Sequence, residues 1–145
     1  MIKHLLPATI VVLLFASCSK IYEDRLMGKW KLNESYRQRL FDKDYFQTGF
    51  EAGVFTFNEN GSATYISTSD TLNGYWSADK YVSYYNSNGD NQTYKYLKLH
   101  LIDFNRNKFI DWEFDDFNFR NDYDRIKAKQ FSLGSDIIYE FVRTR

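Results

Sequence analysis

The chain has 145 residues and a formal net charge of +0, so no basic excess is available to hold a nucleic-acid backbone. A single cysteine excludes a disulfide within the chain. Aromatic residues make up 19% of the sequence and proline occurs once, a composition that favours β-strands over disorder.

The first eighteen residues form the most distinctive segment. A short polar start, Lys3-His4, precedes an apolar run from residue 5 to 15, and Ala16-Ser17-Cys18 follows. A charged start, an apolar centre and small residues at the exit are typical of a secretory signal peptide. The run is shorter than the ~20 residues that a membrane-spanning helix needs. An ordinary export signal with an incidental cysteine is the alternative.

The order hydrophobic–small–small–Cys at this site resembles the lipobox of bacterial lipoproteins. The resemblance implies that residues 1–17 are cleaved as the signal peptide and that the sulfur of Cys18 carries the lipid. Residues 18–26 would then be a lipidated tether. A protein that carries two or more acyl chains is anchored stably in a membrane. We therefore expect a protein of the bacterial cell envelope that Cys18 attaches to the outer membrane. Whether it lies on the periplasmic or the surface face stays open.

From residue 27 to 145 the chain reads as strands separated by turns. In the clearest strand, Leu97, Leu99 and Leu101 alternate with polar residues in the period of two of a half-buried strand. The sequence predicts one all-β domain, a single antiparallel up-and-down β-barrel of about eight strands, because closure removes exposed sheet edges. The candidate strands are 28–40, 51–57, 63–68, 72–77, 81–86, 93–103, 109–115, 123–131 and 136–143.

Gly28-Lys29-Trp30 opens the first candidate strand. This G-x-W, ahead of a meander and shortly after the lipobox pattern, resembles the lipocalin-like lipoproteins of Gram-negative bacteria. The resemblance implies that Trp30 plugs the closed end of a barrel. It also implies that a basic residue near the last strand packs over Trp30, with Arg143 as the first candidate and Arg145 as the second. The family's second signature, Thr-Asp-Tyr, appears as Asn121-Asp122-Tyr123, which favours a looser calycin-like relative.

The polar segments offer little that is typical of catalysis or metal binding. Asp103-x-Asn105-x-Asn107 resembles the start of a calcium loop, but Lys108 and Phe114 stand where Gly and a bidentate Glu are required. A polar hairpin turn is therefore expected there. His100 is the one histidine outside the signal, too few for a Ser-His-Asp or zinc arrangement. We expect no catalytic residue, no cofactor and no metal.

Two charged faces occur late in the chain. If a hairpin spans residues 116–122, an acidic face lies opposite a basic one, and cross-strand ion pairs are expected. The acidic face is Asp111, Glu113 and Asp115, and the basic face is Arg125, Lys127 and Lys129.

Three functions remain open on these observations. The first is a non-catalytic, lipid-anchored envelope protein whose barrel holds a small apolar ligand. The second is a protein-interaction module or subunit of an envelope complex, in which the barrel is solid. The third and weakest is a hydrolase that uses two carboxylates, since no spacing selects a pair. The expected partners are the membrane, through Cys18, and either a small apolar ligand or an envelope protein.

Overall fold

The structure is a computed structural model that describes residues 23–83 and 92–145. Cys18, the expected signal peptide and residues 84–91 lie outside the described residues. One helical turn at residues 23–26 precedes ten strands, and the expected all-β class is confirmed. The strands are β1 (Gly28–Gln38), β2 (Lys43–Phe46), β3 (Val54–Phe57), β4 (Ser62–Ile66), β5 (Thr71–Ser83), β6 (Gln92–Asp103), β7 (Lys108–Phe114), β8 (Asp116–Arg120), β9 (Arg125–Gln130) and β10 (Asp136–Arg143).

All ten strands belong to one antiparallel sheet. The order is β7-β6-β5-β4-β3-β1-β10-β9-β8, and β2 pairs with the second half of β1. The expected count of about eight strands is wrong, because ten are present. No ladder of hydrogen bonds joins β7 to β8 in this order, so the sheet is not closed in that way.

The difference in strand count has a local cause at Asp115. We expected a hairpin turn across residues 116–122, but β8 begins at Asp116, and only Asp115 separates it from the end of β7 at Phe114. The chain bends at Asp115 and changes its partner from β6 to β9. The short β2 is also new, whereas the candidate strand 72–77 and the described part of the candidate strand 81–86 merge into β5, whose pairing with β6 is unbroken.

The same bend overturns the expected pairing of the two charged faces. β7 pairs with β6, so Asp111 lies opposite His100 and Glu113 lies opposite Lys98. Lys98 Nζ is 2.5 Å from a carboxylate oxygen of Glu113. The basic strand β9 faces β8 and β10 instead. The alternation along each strand predicted correctly that these charged side chains face outward, but it did not predict which strand each charged strand pairs with.

The sheet curls until its two ends share one core. β7 and β10 are separated by five other strands in the sheet order, yet the rings of Trp112 and Tyr139 are 5.1 Å apart. Phe114 lies 5.2 Å from the same Tyr139 ring. Inward side chains of distant strands therefore pack against each other, which is how alternation along each strand produces a single buried face.

Side chains bridge the place where the ladder is interrupted. Gln130 Nε2 donates to the carbonyl oxygen of Glu113 at 3.0 Å. The backbone N–H of Phe131 donates to Asp115 Oδ2 at 2.7 Å. The backbone N–H of Lys95 donates to Asp116 Oδ1 at 3.2 Å. The two acidic residues at the bend thus satisfy backbone groups that a regular strand pair would satisfy.

Because the strands alternate in direction, their turns fall at two ends. The Trp30 end holds the helical turn 23–26, the turns at 58–61 and 121–124, and the last residues of the chain. The far end holds the segments 39–42, 47–53, 67–70, 104–107 and 131–135.

Candidate functional site

Trp30 fixes the helical turn to the sheet at the Trp30 end. Its side chain is fully buried. The indole Nε1–H donates to the carbonyl oxygen of Leu26 at 2.7 Å, and Leu26 is itself fully buried. A buried indole usually needs such an acceptor, and a helix end needs a donor for its last carbonyls. The helical turn 23–26 is therefore fixed to the sheet through Leu26.

Arg143 lies over Trp30, as the resemblance implied. Its guanidinium carbon is 4.2 Å from the centroid of the Trp30 ring. The guanidinium also donates to three carbonyl oxygens, those of Met27 at 2.9 Å, Arg25 at 2.5 Å and Tyr123 at 3.4 Å. A cation at the C-terminal end of a helical turn is favourable because unpaired carbonyls collect there. The second candidate, Arg145, is exposed.

Gly28 is required beside Arg143 for two reasons. Its φ is +120°, a conformation that L side chains rarely adopt. A Cβ placed there would lie 2.7 Å from Arg143 Nη1. Tyr123 also has a positive φ, of 70°, and the guanidinium carbon of Arg25 lies 3.9 Å from the centroid of its ring. Residues of both quoted patterns thus meet at one end, because Arg143 contacts the Trp30 ring and donates to the carbonyl oxygen of Tyr123.

The interior of the curled sheet is occupied by aromatic rings. Phe55 contacts Trp112 at 5.8 Å and Phe141 at 5.7 Å between centroids, in tilted and edge-to-face arrangements. Phe114 and Tyr139 continue the same network from β7 and β10. Edge-to-face rings at these separations are in ordinary attractive contact. Side chains from opposite parts of the sheet therefore fill the space between them.

The loop between β2 and β3 folds back over this network at the far end. Phe50, which is almost fully buried, packs edge-on against Tyr65 at 5.3 Å and Trp112 at 5.7 Å. Glu51 holds the loop, because its carboxylate accepts hydrogen bonds from the backbone N–H groups of Thr48 and Gly49 and from the Thr48 hydroxyl. Burial raises the pKa of Glu51, but these hydrogen bonds outweigh it and leave the pKa below its ordinary value.

Two buried hydroxyls, those of Ser35 and Thr144, have no hydrogen-bond partner among the described residues, and Ser35 is the one on the inner face of β1. Ser35 is 2% exposed, and its hydroxyl makes no hydrogen bond among the described residues. Ser35 lies opposite Tyr139 on β10 and Phe46 on β2. The guanidinium of Arg37, two residues along β1, lies 5.7 Å from the ring centroid of Phe46. Burial raises the pKa of Tyr139, and Arg37 offsets part of that rise.

The calcium-like segment forms a polar turn. One carboxylate oxygen of Asp103 accepts from the backbone N–H groups of Asn105 and Arg106. Lys108 Nζ lies 2.7 Å from Asp70 Oδ2 on the neighbouring turn. Hydrogen bonds from Lys108 and Ser69 hold the pKa of Asp70 below its ordinary value. Within residues 23–83 and 92–145, no group of His, Cys, Asp and Glu could hold a metal ion.

His100 and the carboxylates near it lie on the outer face of the sheet. His100 Nδ1 is 3.3 Å from Asp111 Oδ1, and its ring stacks on Tyr75 with centroids 5.2 Å apart. Glu113 is engaged by Lys98. These polar side chains therefore contact each other across neighbouring strands. Asp111 and Glu113 are each bound to a basic partner, so they do not form the carboxylate pair that a hydrolase would need.

Two features of the structure were missed by sequence reasoning. The first is Phe50, whose burial depends on a loop that folds over the far end. The second is a set of apolar residues at the far-end turns, which we call the far-end tips. An available signal was that these residues stand among turn-forming and charged neighbours, where no strand face can bury them. The tips are Leu40, Phe41, Phe104 and Leu133.

Compared with known proteins, the chain matches no family model, no curated protein and no solved structure. In the part of the chain that the structure describes, no helix is long and apolar enough to cross a membrane.

Proposed function

We propose that the protein is a lipid-anchored, non-catalytic component of the bacterial outer membrane whose barrel domain is solid and acts by binding another protein. One observation carries the choice between carrier and interaction module. The interior is filled by interlocking rings of Phe55, Trp112, Phe114, Tyr139 and Phe141. Protein interiors that are packed in this way have few voids larger than a water molecule. A carrier needs a cavity that encloses its ligand.

The lipocalin-like part of the proposal is supported by the strand path. β3 to β7 are sheet neighbours in chain order, and so are β8 to β10. Such an up-and-down path is the kind that lipocalin barrels have. The contact of Arg143 with Trp30 and the space that Gly28 leaves for Arg143 agree with the resemblance.

The anchor is supported by the signal pattern that ends at Cys18. Labelled palmitate is expected to enter the wild-type chain and not the Cys18→Ala variant, because only the thiol carries the lipid. A Ser19→Ala variant, which keeps the thiol, should label like the wild type. Equal labelling of wild type and Cys18→Ala would overturn the anchor.

The solid interior is testable with a fluorescent fatty acid and native mass spectrometry of the detergent-extracted chain. We expect no saturable binding and no retained small molecule in the wild type. Trp112→Ala should create a space that apolar probes can enter, since engineered apolar cavities bind small apolar molecules. Saturable binding of the probe by the wild type, or a molecule retained through extraction, would contradict the solid barrel.

A small-ligand carrier is the second candidate, and the hydroxyl of Ser35 favours it. A buried hydroxyl without a partner is costly, and a ligand that hydrogen-bonds to it would remove that cost. Under the carrier hypothesis Ser35→Ala weakens ligand binding. Under the solid barrel, Ser35→Ala binds no ligand and is neutral or slightly more stable than the wild type in urea denaturation.

A further inference from the structure

The far-end tips are unusually exposed for apolar side chains. Leu40, Phe41 and Phe104 are 87%, 95% and 84% exposed, and Leu133 is fully exposed. They belong to three separate turns, between β1 and β2, β6 and β7, and β9 and β10. Single exposed apolar residues are common on soluble proteins, but several at one end of a domain mark a site of interaction.

The turns that carry these tips are held in place by the sheet and by each other. The pairing of β1 with β10 runs to Gln38 and Asp136, so the turns at 39–42 and 131–135 leave the sheet side by side. On the turn of Phe104, Arg106 donates to the carbonyl oxygen of Ser69 on the neighbouring turn. Apolar groups on supported turns lose less freedom on binding than groups on loose loops.

The charged residues beside the tips balance in number. Arg39 Nη2 lies 3.6 Å from Asp44 Oδ2 across the β1–β2 hairpin. Arg106 and Lys108 both lie within 4 Å of Asp70. An anionic lipid surface attracts apolar loops through an excess of basic residues next to them. The far-end segments together carry five Lys or Arg and five Asp, so a surface without net charge suits an uncharged, apolar partner better; the segments are 37–44, 67–70, 103–108 and 131–136.

The anchor directs the tips away from their own membrane. Residues 18–22 separate the proposed lipid site from the helical turn, and five residues reach at most about 17 Å. That helical turn lies at the Trp30 end, where Trp30 and Arg143 bind its carbonyls. The Trp30 end therefore lies within reach of this tether from the bilayer, and the far end is the opposite end of the domain.

We propose that the far-end tips dock into an apolar groove of a partner protein in the envelope, with Leu40, Phe41 and Leu133 as the main anchors. This inference rests on the proposed function, because the anchor at Cys18 sets the orientation. Apolar anchors that enter a pocket dominate the energetics of most protein interfaces. The outer face around Tyr75 serves as a matched control, because Tyr75 is an exposed aromatic on a strand and not on a far-end turn.

The test places the photo-crosslinking residue benzoylphenylalanine at Leu133 in the full-length chain and irradiates intact cells. We expect one discrete protein adduct from position 133 and none from position 75. The double variant Leu40→Ser/Phe41→Ser, with the crosslinker still at 133, should lower the yield at least tenfold. A Tyr75→Ser variant should leave it unchanged. With the purified partner, the double variant should weaken binding at least tenfold.

Other outcomes overturn the inference, and each identifies a different occupant. An adduct of twice the chain's mass would show a second copy, and an adduct with phospholipid would show a membrane. Equal yields from positions 75 and 133, or no effect of the double variant, would place the interface elsewhere. Palmitate labelling in the same cells distinguishes a failure of the docking site from a failure of the proposed anchor. Labelled chain without an adduct rejects only the docking site, whereas unlabelled chain rejects the proposed anchor.

Discussion

The two ends of the sheet differ in how they treat apolar side chains and backbone groups. At the Trp30 end, Trp30 and Leu26 are fully buried, and Arg143 donates to several carbonyl oxygens. At the far end, Phe50 is folded inward, but Leu40 and Phe41 project into water. Burying such a side chain stabilises a protein by roughly 1.5–3 kcal/mol, so leaving several exposed forgoes stability. The contrast indicates that one end secures the fold and the other remains available for binding.

The sharpest test of this contrast compares one aromatic residue from each end. Trp30→Ala removes a fully buried ring and the hydrogen bond to Leu26, and we expect a loss of about 3–5 kcal/mol. Phe41→Ala removes a ring that is already in water and should change stability by less than about 0.5 kcal/mol. Urea denaturation followed by circular dichroism measures both. Similar losses would contradict the division between the ends.

Arg143 tests whether the cation, and not only the ring, secures the Trp30 end. Arg143→Met keeps the apolar stem but leaves the carbonyls of Arg25 and Met27 without this donor, and we expect a loss of about 2–3 kcal/mol. Arg145→Met, at the exposed second candidate, should cost less than about 0.5 kcal/mol. Both are measured by the same denaturation. If both variants lose equally little stability, the contact of Arg143 with Trp30 does not stabilise the fold.

Local patterns predicted the regular strands well. Leu97, Leu99 and Leu101 alternate because one face of β6 is buried, and the strand observed at Gln92–Asp103 agrees with the expected 93–103 to within one residue. The contact of Arg143 with Trp30 was anticipated through a family resemblance. Spacing alone would not have selected Arg143 over Arg145.

The sequence failed where the outcome depended on distant partners. A hairpin across residues 116–122 was expected, but the side chains of Asp115 and Asp116 accept hydrogen bonds from the backbone N–H groups of Phe131 and Lys95, and the strand bends and continues. Glu113 could pair with lysines on either β6 or β9, and only the three-dimensional path of β7 decides. Phe50 is buried through rings that lie far along the chain. Such contacts carry no local signature.

A pair of glycines separates backbone strain from the steric role of Arg143. Gly28 and Gly49 both have positive φ, but of the two only Gly28 has a neighbour, Arg143, within 4 Å of the position that a Cβ would occupy. Gly49→Ala should cost about 1 kcal/mol from the backbone alone, and Gly28→Ala about 2 kcal/mol. Combining Gly28→Ala with Arg143→Met should cost less than the two losses added together, because the clash is then gone. Additive losses would argue against the clash.

The smallest expected effect is on the pH dependence of stability, which should differ between Glu51 at the far end and Arg143 at the Trp30 end. The pKa of Glu51 lies below its ordinary value of 4.5, so its carboxylate contributes stability above that pH and loses it as the pH falls through the folded-state pKa. Glu51→Gln should therefore be less stable than the wild type by under about 1 kcal/mol at pH 7, and the difference should shrink towards pH 3. Arg143→Met removes no carboxylate, so its deficit should not follow the same trend. Urea denaturation of the variants at several pH values measures both. A Glu51→Gln deficit that stays constant with pH would mean that its carboxylate does not hold the loop of Phe50 over the far end.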